Sequence, residues 1–181
     1  MYRSKSNPQI VLRPQDVVVV LRLTLDKERA PTYAALASEL KLTASEIHAG
    51  VERAMAAYLV RKDAAGRPAV LLEPLRLFVQ HGLRYCFPAT RGETTRGVPT
   101  SYAAAPMRAL IVQPNEPPPV WPHKLGTVRG AAFYPLYPTV PEAALANPAL
   151  YELLVLVDAV RGGSLRERAL AVAELDKRWL A

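Results

Sequence analysis

The sequence predicts an α+β chain that is mainly α, and three observations carry that assignment. Capping and corner signals between Thr32 and Ala56 define two amphipathic helices. A charged turn around Gly66 separates two short apolar runs. Apolar helical periodicity returns after Pro141, behind a stretch that holds eleven of the seventeen prolines. The expected organisation is a flexible arm over 1–12, a helical domain with a hairpin over 13–82, a Pro-rich irregular or β segment over 83–140, and an antiparallel helical hairpin over 141–181.

The arm opens polar and basic and turns apolar at Ile10-Val11-Leu12. Its cations could touch phosphate or a minor groove, or simply stay solvated. Pro14 suits a first helical turn because it has no amide proton to leave unpaired, and Asp16 complements the helix dipole. The β-branched run from Val17 to Val20 also suits a strand. The lack of a turn residue before Leu25 favours a helix, with Val17, Val20, Leu21 and Leu25 inward. Thr32 caps a second helix whose Leu36, Ala37 and Leu40 face the core. Leu42 plugs a three-residue corner, and Thr43 caps a third helix. Glu46, three residues on, completes a capping box that satisfies two otherwise orphaned amides. Ile47, Val51, Ala54, Met55 and Tyr58 follow at helical spacing.

Leu59–Leu72 reads as two short strands around a turn in which Gly66 supplies positive φ. Glu73–Gly82 reads as a helix started by Pro74 and stopped by Gly82, with Leu75, Phe78 and Val79 on one face. Between Pro88 and Pro141 long regular elements are not expected. Thr90-Arg91-Gly92 and Thr95-Arg96-Gly97 place two arginines on glycine-flanked loops, and Pro117–Pro119 is a short spacer. Tyr102, Trp121, Phe133, Tyr134 and Tyr137 are too many aromatics for a linker, and Thr127–Tyr134 suits a strand. Glu142–Ala146 makes a short turn. Pro148–Arg161 is a strongly apolar helix stopped by Gly162-Gly163. Ser164 then caps a last helix to Leu180, with Leu165, Ala169, Val172, Leu175 and Trp179 at helical spacing.

Half of the residues are hydrophobic and 22% are charged, so a buried core is expected and wholesale disorder is not. The formal charge of +7 favours a polyanionic partner. It is unevenly spread: +3 over 1–75, +5 over 76–139 and −1 over 140–181. A single cysteine, Cys86, excludes an intramolecular disulfide and fits a reducing compartment. The polar amino terminus reads as no secretory signal, and the apolar runs are too short to cross a bilayer. A soluble cytoplasmic protein without membrane contact is expected.

Catalysis requires convergent acids, bases or nucleophiles. His48, His81 and His123 lie in three different kinds of segment, and Cys86 near His81 matches no zinc or nucleophile spacing. No phosphate-cradling glycine motif is present. Neither an enzyme, a metal nor a cofactor is expected. The third helix instead presents Thr43, Ser45, His48, Ala49, Glu52 and Arg53 for base readout, and the hairpin presents Arg61, Lys62 and Arg67 to phosphates. Glu52 brings negative charge to the reading side. Arg91 and Arg96 are candidate anion-binding residues, with pairing to carboxylates or carbonyls as the alternative.

Thr32-Tyr-Ala-Ala-Leu-Ala-Ser-Glu-Leu-Lys-Leu-Thr-Ala-Ser-Glu-Ile-His48, followed by Leu59-Val-Arg-Lys-Asp63, resembles the winged helix-turn-helix of small bacterial transcription regulators, broadly the MarR-like group. The resemblance covers residues 13–72. It implies a sequence-specific DNA-binding regulator acting on double-stranded DNA as a homodimer, with the last two helices as the dimer interface. The chain departs from the MarR pattern after residue 83, where long dimerisation helices would be expected. The alternative is a protein-interaction module, antitoxin-like or defence-associated, that uses the winged helix as scaffold for a protein partner.

Overall fold

Pro14 and Asp16 start the first helix as their chemistry dictates. In the computed structural model, which describes residues 10–26 and 31–180, α1 spans Pro14–Leu23, and the Asp16 carboxylate accepts the Arg13 amide at 2.8 Å. The helix ends at Leu23, two residues before the expected Leu25. Val17 to Leu21 are all buried, so α1 is covered on every side. Residues 1–9 of the expected arm lie outside the described residues. Ile10 and Val11 are exposed, and Leu12 packs against the core.

α2 (Tyr33–Leu40) is capped by Thr32, whose hydroxyl accepts the Ala35 amide at 3.2 Å. Lys41 adopts left-handed φ of 57° to turn the corner. α3 (Ala44–Ala56) starts at the expected capping box. Tyr58, expected on its inward face, lies beyond the helix end at φ 57° and is 77% exposed. The Leu59 amide reaches back to the Ala54 carbonyl at 2.9 Å, so a Schellman-type turn places tyrosine where glycine is usual.

β1 (Val60–Lys62) and β2 (Pro68–Val70) form the expected antiparallel hairpin, with Val60 opposite Val70 and Gly66 at φ 75°. α4 (Leu72–Leu77) does not stop at Gly82. It passes through a π-turn (Phe78–Gly82) into α5 (Leu83–Cys86), which carries Leu75, Val79 and Leu83 into the core.

The middle segment is more regular than its prolines imply. β3 (Arg91–Pro99), β4 (Pro119–Pro122) and β5 (Val128–Phe133) close into a three-stranded barrel. β3 pairs antiparallel with β5 from Arg91↔Phe133 to Gly97↔Val128, and its last residues pair antiparallel with β4. β4 and β5 join in parallel at Pro119↔Ala131 and Val120↔Ala132. Pro99, Pro119 and Pro122 stand at strand ends, where a missing amide proton costs least. The ring is so tight that backbones touch. A Cβ at Gly97 would overlap the Trp121 carbonyl, one at Gly126 the Gly97 backbone, and one at Gly130 the Pro118 carbonyl. Arg91 and Arg96, expected on loops, therefore stand on a strand.

α6 (Val140–Ala146) is a short helix where a turn was expected. α7 (Pro148–Gly162) is capped by Asn147, and α8 (Leu165–Leu180) returns along it. Leu153 to Val160 are all buried, which makes α7 the central element, with α1, α5, α6 and α8 around it. On α8 the buried residues are Ala171, Leu175 and Trp179, whereas Leu165 is 77% exposed. A register that buries Ala171 turns Leu165 and Ala169 outward. One hydrophobic cluster runs from Val17 to Trp179, so the three segments share a core.

The barrel is fastened to α7 by a buried polar knot. Asp158 accepts from Trp121 Nε1 at 2.6 Å, from Thr100 Oγ1 at 2.9 Å and from Arg161 Nη1 at 2.6 Å. Arg161 also donates to the Phe87 and Pro88 carbonyls. Burial pushes the Asp158 carboxyl up, opposed by Arg161, Trp121 and Thr100. The four groups satisfy one another, as burial of charge demands.

Candidate nucleic-acid interface

The capping box fixes where α3 begins and therefore which residues it turns outward. Glu46 Oε2 accepts the Thr43 amide at 2.7 Å and hydroxyl at 2.8 Å, and the Glu46 amide donates to Thr43 Oγ1 at 3.2 Å. The Thr43 amide and hydroxyl hold the Glu46 carboxyl below its ordinary range. Glu46 is thus occupied locally, and so is the Thr43 hydroxyl. Ile47, Val51 and Ala54 face the core, which leaves Ser45, His48 and Glu52 exposed and Ala49 half-buried. His48 meets the edge of Tyr33 from α2, ring centroids 5.7 Å apart. Burial, then the Glu52 carboxylate, raises the Tyr33 hydroxyl. Tyr33, His48 and Glu52 therefore share one outer patch. Tyr33 belongs to the site by position, although its sequence neighbourhood signals only a helix start.

Arg53 stands apart from this set. Its Nε and Nη2 each donate to Asp16 at 2.7 Å, a bidentate grip on a carboxylate that is itself 0% exposed. Gly50 makes room for it, since a Cβ there would come within 3.0 Å of Asp16 Oδ1. The guanidinium expected to face bases points into the joint between α1 and α3.

On the hairpin, Arg61 and Lys62 are exposed and make no ion pair among the described residues. Arg67 pairs with Asp63 at 3.0 Å. Asp63 also accepts the Ala65 and Arg67 amides, each at 2.8 Å, and these bonds hold its carboxyl below the usual range. Asp63 thereby shapes the turn, and Arg67 is the most constrained of the three cations. Tyr58 projects at the junction of α3 and β1, a placement that helical spacing alone could not reveal.

The candidate anion-binding arginines divide. Arg91 donates to the Gly162 carbonyl at 3.0 Å and lies over the Phe133 ring, so it ties β3 to α7. Arg96 donates through Nε to the Gly126 carbonyl at 2.5 Å and is otherwise exposed. Directly across from it, on β5, stands the exposed Arg129. Cys86 and His81 are exposed, and His123 faces Glu142 at 3.4 Å. Among the described residues no group of three or more His, Cys, Asp or Glu could hold a metal ion. Nor is any described helix long and apolar enough to cross a membrane.

Comparison of the chain with protein-family models, with curated proteins and with solved structures gives no match.

Proposed function

We propose that the chain is a DNA-binding transcriptional regulator whose residues 13–72 act as a winged helix-turn-helix. α3 enters the major groove of double-stranded DNA, and the β1–β2 hairpin lies along the backbone as the wing. The observation that carries this reading is the sequence of a tight corner, a rigidly capped α3 with Ser45, His48 and Ala49 on its outer side, and a hairpin whose Arg61 and Lys62 have no carboxylate partner among the described residues. Serine and histidine can donate or accept at base edges, and alanine can contact a thymine methyl. Arg53 belongs to the frame in this reading, not to the readout. α7 is covered by its own chain, so a second copy would dock on the outward side of α8, where Leu165, Ala169, Ala173 and Leu180 are exposed.

The test is binding to a random duplex pool across a salt series. Arg61→Ala with Lys62→Ala removes two phosphate contacts and lowers affinity for every sequence, with the log–log salt slope falling by ~1.8 at about 0.9 per contact. Ser45→Ala with His48→Ala changes the selected sequence instead. Absence of binding at low salt would sink the proposal.

A second reading draws on Glu52. The exposed residues of α3 include no lysine or arginine, and Glu52 makes no ion pair among the described residues. Such a face suits a protein partner, with the three helices as scaffold. Glu52→Gln separates the two: a DNA reader gains affinity from it, whereas a protein-docking face loses its partner or is indifferent to DNA.

A further inference from the structure

The central barrel carries an arrangement that its own stability does not favour. Arg96 and Arg129 are direct cross-strand partners on β3 and β5. Opposed residues of an antiparallel pair point to the same side with Cβ atoms roughly 4.5–5.5 Å apart, and like charges there repel. Neither forms an ion pair with any described carboxylate. Glu93, on the same strand, makes no ion pair with them. Arg96 is held in place by its bond to Gly126, in a turn stitched by the Gly126 amide to the His123 carbonyl at 3.0 Å and the Leu125 amide to His123 Nδ1 at 3.3 Å. That same turn presents Lys124, exposed and likewise without an ion pair among the described residues. Arg96, Arg129 and Lys124 are thus three exposed cations on the β3–β5 pair and the turn bonded to it, with Thr94 and Thr127 exposed two residues from Arg96 and Arg129. These are three of the seven basic residues of 76–139, and none of the three has an ion-pair partner among the described residues.

We infer that this barrel face is a second contact for the phosphate backbone of duplex DNA, made by Arg96, Arg129 and Lys124 outside the reading head. An external row of phosphates relieves the Arg96–Arg129 repulsion, and guanidinium groups match phosphate oxygens in geometry as well as charge. The fixed turn means that little side-chain freedom is lost on binding at Arg96. The contact adds affinity and salt dependence without adding sequence information. It rests on the DNA-binding reading for its occupant, but not on α3 being the reader.

The experiment measures affinity of the full chain for a non-specific duplex between ~50 and ~200 mM salt. Arg96→Gln with Arg129→Gln keeps a polar side chain at each position and removes two cations. Its expected effect is a fall of ~1.8 in the log–log slope at about 0.9 per phosphate contact. Sequence preference stays the same. Arg129→Gln alone, where the side chain has no hydrogen-bond partner among the described residues, should lower the slope by ~0.9 without touching the turn, with the melting temperature unchanged or raised as the like-charge repulsion is relieved. An unchanged slope overturns the inference even if the wing variants behave as proposed. A lowered slope with no change of preference in Ser45→Ala/His48→Ala sinks the reading head and leaves the barrel contact standing. Retention of single-stranded RNA with loss of duplex DNA binding would also overturn it.

Discussion

Replacing Arg53 by alanine should destabilise the protein by about 3 kcal/mol, and the reason lies at its partner. Asp16 is 0% exposed and holds both Arg53 nitrogens at 2.7 Å, while the Arg53 side chain remains 16% exposed. Removing one member of a buried pair typically costs about 3–5 kcal/mol because the other is left charged and dry. The residual exposure of Arg53 and the Arg13 amide, which still reaches Asp16 at 2.8 Å, place this case at the low end. For a chain of this size, about 3 kcal/mol corresponds to a fall in melting temperature of roughly 6–12 °C. Arg53→Met with Asp16→Asn should recover part of that loss, since the buried charge disappears with its partner. Thermal denaturation followed by circular dichroism measures both, and a double-mutant cycle gives the coupling. On the proposed DNA-binding reading, affinity for DNA measured well below the transition stays near wild type. A variant that melts like wild type but binds DNA with altered preference would refute the reasoning and return Arg53 to the reading face.

Two further perturbations test how the segments are joined. Glu39 on α2 accepts from Arg22 of α1 at 2.7 Å and from Asn147, the α7 cap, at 2.6 Å. Burial alone would raise its carboxyl, but Arg22 and Asn147 outweigh it and hold it below the ordinary 4.5. Its contribution is therefore present above pH 4.5 and lost as pH falls through the depressed value. Glu39→Gln should cost about 1 kcal/mol at neutral pH, modest because the pair is partly solvated, and flatten the acid limb of the stability profile. Gly130→Ala should cost at least ~3 kcal/mol, since the added methyl meets the Pro118 carbonyl and backbone cannot yield as a side chain can. Denaturant midpoints measure it, and a variant as stable as wild type would show that the barrel closes less tightly than described.

Local chemistry was readable in the sequence, and long-range pairing was not. The Thr32 cap, the Thr43–Glu46 box and the Gly66 turn each depend on residues within four positions of one another, so their spacing carries the geometry. Tyr58 was misplaced because helical spacing continues past a helix end that no glycine marks. Gly82 was misread as a stop because a π-turn absorbs it. Asp16 looked like a partner for the helix dipole, and only the fold brings Arg53, 37 residues away, to its carboxylate. Of the barrel only β5 is legible, as the strand expected over Thr127–Tyr134, since prolines at strand ends look the same in sequence as prolines in a loop. The barrel's signals were Gly97, Gly126 and Gly130, spaced without period, whose meaning appears only when β4 and β5 lie against β3. Asp158 and Arg161 sit inside a helix that reads as apolar, and only the fold shows that they pair there and brings Trp121 to the carboxylate.

Closure of the barrel also governs how another chain could attach. Where β3, β4 and β5 meet, each is flanked by the other two, so the closed part of the ring offers no backbone edge to a foreign strand, although β4 covers only Gly97–Pro99 of β3. β1 and β2, by contrast, form a two-stranded ribbon in which each strand has one unpaired flank. There, Pro68 removes one amide donor from β2, and the charges of Arg61 and Lys62 discourage indiscriminate strand pairing along β1.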